Sequence, residues 1–391
     1  MSEWIRMKLS ECCSSIADGD HQPPPKAETG IPFVTISNMT STNQFDFSDT
    51  LFVPQEYYDK LDEKRKARKD DILYSVVGSF GIPVFMKEDK AFVFQRHIAI
   101  LRPDNEKIVP RFLFYTMLTK DFYAKADAAA IGAAQRTVSL TALRNMEICI
   151  PDKIQQSEIV DTLAAYDDLI ENNQKQIKLL EEAARRLYKE WFVDLRFPGH
   201  ENVEIIDGVP EGWHMGTVQE VIEYHDTKRK PLSGQQREKM KGEYRYYGAA
   251  GILDYVNAFL FDGVYLLLGE DGTVVSDNGC PVLQYVAGQF WVNNHAHVLT
   301  GKGKYSTEYI YMMFAHMKIL DVVTGVAQPK ISQGRLSAKK ILIPAPELAV
   351  TFDVNAKPFF DKILILENQI TKLEEARDRL LPKLMSGEIE L

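Results

Sequence analysis

The chain has 391 residues, 45% hydrophobic and 26% charged, the make-up of a globular protein with core enough for two or more domains. No apolar run is long enough to span a bilayer, no basic stretch leads into an apolar core at the N-terminus, and the four cysteines lack any paired spacing. Membrane insertion, a secretory leader, a disulfide framework and a metal site are therefore not expected, and reduced thiols in a cytoplasm are. The net charge of −9 argues against nucleic acid until it is divided by region. Residues 152–194 and 346–391 carry −4 and −3, whereas 1–151 and 195–345 carry −1 each, which leaves room there for basic patches.

The first 151 residues read as short strands between turn signals, a strand-rich α+β domain. Trp4 to Glu11 is strand-like, as are Ile31 to Ile36, Asp71 to Val77 (ended by Gly78) and His97 to Leu101. Pro110 to Thr119 reads as a helix with proline in its first turn. Lys60 to Lys69 holds six bases against Asp62 and Glu63 and reads as a helix with a solvated face.

From 152 to 194 the pattern changes to a heptad seam, with steps of four and three and no slip: Ile159, Leu163, Tyr166, Ile170, Asn173, Ile177, Leu180, Ala184, Leu187, Trp191. Asn173 alone is polar, which suits a register-setting amide or a solvated position. Pro198-Gly199-His200 ends this helix, and Gly208 to Gly212 completes a linker into a second region spanning 195–345. That region opens at Trp213 and repeats the plan, with strands at Val264 to Leu268 and His297 to Leu299 and a helix near Ser306 to Leu320. A second seam fills 346–391: Phe352, Ala356, Phe359, Ile363, Leu366, Ile370, Leu373, Arg377, Leu380, Leu384. Pro358 predicts a kink or break, Pro382 a stop, and Arg377 a departure from the dry seam or contact with another subunit.

Each second-seam position lies 193 after its counterpart, and the offset holds without a gap from Gly132 to Phe192. Upstream it drifts, from 209 at Trp4 and Trp213 to 198 at His97 and His295. A fixed register over such a length means duplication. Two one-sided seams each lack a cover, so they are expected to pack on each other.

The chain resembles the specificity subunit of type I restriction–modification enzymes. The residues that carry this are Ile16 to His21 followed by Gly30 to Val34, the QPKIS stretch at Gln328, and Ile148 to Pro151 and Ile341 to Pro344 before the long helices. Val209 to Trp213 and Leu381 to Ile389 complete the set, which covers essentially the whole chain. The resemblance implies two similar target recognition domains, each reading half of a split double-stranded DNA sequence. Two long helices between them would pair as an antiparallel coiled coil with pseudo-two-fold symmetry. It also implies two methyltransferase subunits bound along the helices, with two ATP-dependent nuclease–translocase subunits as optional additions. S-adenosylmethionine and ATP would belong to those partners, leaving this chain without a cofactor. One departure is that Gln135-Arg136 stands where the second copy has Gln328-Pro329-Lys330.

A search for an engine returns none. There is no Asn-Pro-Pro-Tyr-type methyltransferase motif and no FxGxG; Gly301-Lys302-Gly303-Lys304 lacks the upstream glycine of a phosphate loop, and Gly269 to Gly272 reads as a turn. A non-catalytic binder is the expectation. For DNA the candidates are Lys228, Arg229 and Lys230, which open a stretch of seven bases running to Arg245, although a solvated loop has the same composition. Gln135, Arg136 and Ser139 with Gln328, Lys330 and Ser332 suit base edges or phosphates, or else turn the chain and cap a helix. Arg96 and Asn294 occupy matching positions ahead of His97 and His295, two histidines expected to serve the core or a turn. Ser37 and Asn38 follow a strand and equally suit a turn.

Ile159 to Trp191 as a helix measures about 48 Å at ~1.5 Å per residue, roughly one and a half turns of B-DNA. The helix length then acts as a ruler for the unread spacer. Two other readings remain: a coiled-coil adaptor whose end domains bind proteins, and a self-contained DNA-modifying enzyme, which the missing motifs disfavour.

Overall fold

The structure is a computed structural model and describes residues 4–40, 42–133, 135–276, 278–325 and 328–391. The chain forms two compact units, one of Met1–Ile170 with Thr371–Leu391, the other of Glu171–Ile370. Both are α+β.

In the first unit a four-stranded antiparallel sheet runs Cys13–Asp18, Ile98–Pro103, Ile72–Ser75, Pro83–Phe85. Every residue of Ile72–Ser75 is buried because both faces of the sheet are covered. Ile72, Tyr74, Ala99 and Leu101 face a core with Phe112, Leu113 and Tyr115 from the helix Pro110–Leu118. Leu73, Ile98 and Ile100 face the other way, onto Val34, Phe92 and Phe94. Each such side chain contributes about 1.5–3 kcal/mol by leaving water. A second sheet orders Leu51–Val53, Ile31–Val34, Val93–Phe94, the last pair parallel.

The strand Ile5–Lys8 pairs with Glu147–Ile150, and Ile148 and Ile150 join the core that receives Ile159, Leu163 and Leu384. Asp152 starts the first long helix, Lys153–Tyr188, by accepting from the amides of Ile154 and Gln155 at 3.0 Å. The buried Gln156 anchors that start, accepting from the Val109 amide at 2.8 Å and donating to the Pro151 carbonyl at 2.9 Å.

The second unit repeats the plan with one six-stranded sheet: Ile222–Tyr224, Ala296–Gly301, Phe261–Gly269, Leu283–Val292, Lys241–Tyr247, Ile252–Val256. Its two faces again part by alternation. Leu266, Leu268 and Leu299 face the helix Thr307–His316, while Leu267, Ala296 and Val298 face Tyr247, Phe261 and Phe290. The strand His214–Thr217 pairs with Lys340–Ile343 as Ile5–Lys8 does with Glu147–Ile150.

The duplication extends to strand register. Tyr74 faces Ala99 as Leu268 faces His297, and Ile72 faces Leu101 as Leu266 faces Leu299. Val34 lies beside Phe94 as Tyr247 lies beside Val292. One difference is a break. The continuous strand Leu283–Val292 corresponds to two pieces, Pro83–Phe85 and Val93–Phe94, whose intervening segment is two residues longer.

The two long helices pair antiparallel within each unit. In the first, Ile159 and Leu163 share a core with Leu384, and Asp167 meets Arg377. In the second, buried Asn173 donates to Gln369 Oε1 at 3.3 Å, while Tyr188, Trp191 and Phe192 pack their rings on Phe352 at 5.8, 6.0 and 5.3 Å. Ile170, Ile363 and Leu366 are buried on the seam, and Tyr166, Ile177, Leu180, Leu187, Phe359, Ile370, Leu373 and Leu380 are half-buried.

Three expectations are corrected. The second long helix, Pro346–Met385, continues through Pro358 without a break. Pro358 is exposed, and Phe352, Ala356, Phe360 and Ile363 hold the seam face across the hydrogen bond that proline cannot make. Lys60–Lys69 is not a helix beyond the single turn Glu63–Arg65, because Asp62 caps that turn and Arg102 takes the Lys66 carbonyl at 3.0 Å. Arg377 does not leave the helix pair, since its guanidinium donates to Asp167 at 2.9 Å.

Candidate nucleic-acid interface

Each unit builds one loop the same way. In the first unit Ile131 and Thr137 exchange backbone hydrogen bonds of 2.9 and 2.8 Å, closing a turn that begins at Gly132. Gly132 has φ of 105°, and a Cβ there would sit 2.6 Å from the Gln135 carbonyl, so only glycine fits. The loop is tied to the sheet by Gly78 N to Arg136 O at 2.8 Å and Val138 N to Val76 O at 2.9 Å.

The second unit matches it bond for bond. Val323 and Thr324 pair with Ile331 and Lys330, Gly325 has φ of 83°, and a Cβ on it would meet the Gln328 carbonyl more closely still. Gly272 N donates to Pro329 O at 3.1 Å and Ile331 N to Glu270 O at 2.8 Å. Arg136 thus stands in for Pro329, and the altered motif of the first copy leaves these backbone bonds unchanged. Gln135 and Gln328 are exposed beside these turns. Ser139 and Ser332 cap the following short helices, accepting from Ala142 N at 3.1 Å and Arg335 N at 3.4 Å.

Arg136 pairs with Asp127 and lies 5.5 Å over the Phe80 ring, which stacks on Tyr123. Arg96 and Asn294 are exposed at corresponding positions. Ser37 is exposed and shares a 2.7 Å bond with Thr35, but Asn38 is buried, accepting from the Thr35 amide at 2.9 Å and donating to the carbonyls of Asp46 and Asp49. Asn38 therefore holds the turn.

Lys228 and Lys230 are exposed, and the Lys230 carbonyl accepts from Trp291 Nε1 at 2.6 Å. Arg229 between them points inward, onto Glu270 at 2.6 Å, Asp226 at 3.3 Å and the Ala296 carbonyl at 2.7 Å. Further along, Arg237 and Lys241 converge on Asp254 at 3.0 and 2.8 Å, and Lys241 foremost holds that carboxyl down at about 2. The basic stretch is thus partly self-neutralised. Lys228, Lys230 and Lys239 are exposed as well.

Sequence reasoning missed the group behind the second loop. Asp226, Glu270 and His297 bring one ligand atom each within 4.8 Å of one another, a spacing that suits a metal. Arg229 already supplies the cation to both carboxylates there. Burial pushes the Asp226 carboxyl up, but donors from His297, the Val298 amide and Gln333 outweigh it and hold it below its ordinary value. These residues lie up to 71 positions apart, and only strand register brings them together.

No helix among the described residues is long and apolar enough to cross a membrane. The family model described as the type I restriction modification DNA specificity domain matches residues 1–182 and 210–374. The specificity subunit of the type I restriction enzyme MjaIX of Methanocaldococcus jannaschii is 26% identical over 302 residues, covering 73% of this chain and 70% of that protein. The putative MjaX specificity subunit of the same organism is 22% identical over the full chain and 94% of its own length. In fold, the chain is similar to the crystal structure of a type I restriction–modification system S subunit from M. genitalium, with a TM-score of 0.60 at 18% identity over 98% of this chain and 96% of that one.

Proposed function

The chain belongs to the type I restriction modification DNA specificity family, and from that premise we propose that it reads a split duplex target, one half through each unit, for separate catalytic subunits. Adenine methylation is assigned to methyltransferase subunits carrying S-adenosylmethionine, and cleavage to ATP-dependent nuclease–translocase subunits where these join. This chain supplies recognition only.

The observation that carries the reading is the loop built twice: Gly132 to Val138 and Gly325 to Ile331 share their glycine conformation, their ties to the sheet and an exposed glutamine. A glutamine amide can bond an adenine edge with both its groups, and exposed lysines such as Lys228, Lys230 and Lys330 can neutralise phosphates. Divergent surroundings, such as Arg96 against Asn294, fit two half-sites of different sequence.

The test is duplex binding by the full chain over a range of salt. Affinity is expected to fall steeply as salt rises and to strengthen when the methyltransferase is added. Replacing Lys228, Lys230 or Lys330 by alanine should each lower the logarithmic salt slope by about 1. Binding that ignores salt and these lysines would favour a protein adaptor instead.

A further inference from the structure

The second loop is backed by an ionic network where the first is backed by hydrocarbon. His297 is 1% exposed on the strand Ala296–Gly301, at the register position that Ala99 holds in the first unit. Its Nε2 lies 2.9 Å from the Ile331 carbonyl and its Nδ1 2.6 Å from Asp226 Oδ2. Both neighbours carry acceptor oxygens, and the ring bridges them. Asp226 also accepts from the Val298 amide at 2.8 Å and from Gln333. Glu270, 3.6 Å from Nδ1, holds Arg229 on one side and Lys330 at 3.3 Å on the other.

At the positions of His297, Glu270 and Asp271 the first unit has Ala99, Val76 and Val77. Its loop closes through the same backbone bonds nonetheless. The network is therefore not needed to form the turn. What it adds is a fixed place for the side chains on that turn, because one ring bonds the loop backbone at Ile331 and also anchors the carboxylate that takes Gln333.

We propose that His297 is a positioning residue for the DNA-contacting loop of the second unit, so that discrimination in one half-site alone depends on it. This rests on the DNA-reading role given to that loop above. Gln328 and Lys330 are the groups held in place, and Asp226 is the other end of the clamp. The first unit has no such dependence, and it serves as an internal control within the same molecule.

The experiment maps methylated adenines on a random-sequence duplex library, using the full chain co-expressed with its methyltransferase. His297→Ala should lower base discrimination about tenfold in one half-site and leave the other half and the spacer as in the wild type. Asp226→Asn keeps the acceptor that receives the Val298 amide but removes the carboxylate charge and turns an NH2 donor toward His297 in place of an acceptor, and it should weaken the same half. Arg136→Ala, in the first unit, should weaken the opposite half. Unchanged discrimination in both His297→Ala and Asp226→Asn would overturn the inference, as would an equal loss in both halves, which marks a structural role only. A wild-type library with no split target would instead reject the DNA-reading role itself, and the inference with it.

Discussion

Asp167 accepts two hydrogen bonds within the first unit, from Arg377 at 2.9 Å and from the hydroxyl of the buried Tyr115 at 2.7 Å, with the Arg111 guanidinium 3.7 Å away. Removing either partner alone is therefore unequal. Arg377→Ala leaves the carboxylate with Tyr115, whereas Asp167→Ala strands the buried Tyr115 hydroxyl, while Arg377 keeps Asp378 at 2.8 Å. Urea unfolding should show Asp167→Ala costing about 2–3 kcal/mol and Arg377→Ala about 1 or less; equal costs would deny the double bond its weight. The second long helix offers a pH-dependent counterpart. Burial, against the Ser306 hydroxyl and with Glu308 nearby, pushes the Asp353 carboxyl up to about 6. A folded value above the unfolded one means the proton binds the native state more tightly, so this group's penalty is present above pH 6 and fades as pH falls toward 4. Asp353→Asn should raise the melting temperature at pH 7.5 and converge on the wild type near pH 4, and a pH-independent difference would contradict this.

The elements legible in the sequence were those whose signal is local and periodic. The seam from Ile159 to Trp191 shows its heptad in the chain itself, and the apolar run Ile72–Leu73–Tyr74 declares a strand covered on both faces. Proline misled at Pro358, because a local rule met two buried aromatic anchors of the same helix, Phe352 before it and Phe360 after it. Pro358→Ala should restore the missing bond and raise stability by about 1–3 kcal/mol in denaturant titration; no gain would mean the helix has already relaxed around the ring. The loops at Gln135 and Gln328 were legible from the fixed offset of 193, though not their glycine geometry. Asn38 and Arg229 show the limit: an exposed-looking polar residue turns inward when it meets loop carbonyls, as Asn38 meets those of Asp46 and Asp49, or a carboxylate far along the chain, as Arg229 meets Glu270. The His297 clamp was invisible for the same reason, since its members are adjacent only through strand register.

For the whole molecule, duplication is the organising fact. The same strand order, register and loop occur twice in one chain, and each long helix contributes to both units. If helix length sets the unread spacer, one heptad inserted after Ile170 and one after Ile370 adds about 10 Å at ~1.5 Å per residue. The preferred spacer should then grow by about three base pairs with both half-sites unchanged; retention of the original spacing would dismiss the ruler. The central claim is that this chain chooses where its partners methylate. It is met most directly by mapping methylated adenines genome-wide in a host that expresses the chain with its methyltransferase. The account predicts a single target of two short conserved halves around a spacer of fixed length and free sequence. Methylation at one uninterrupted motif, or a pattern unchanged when this chain is deleted, would contradict it.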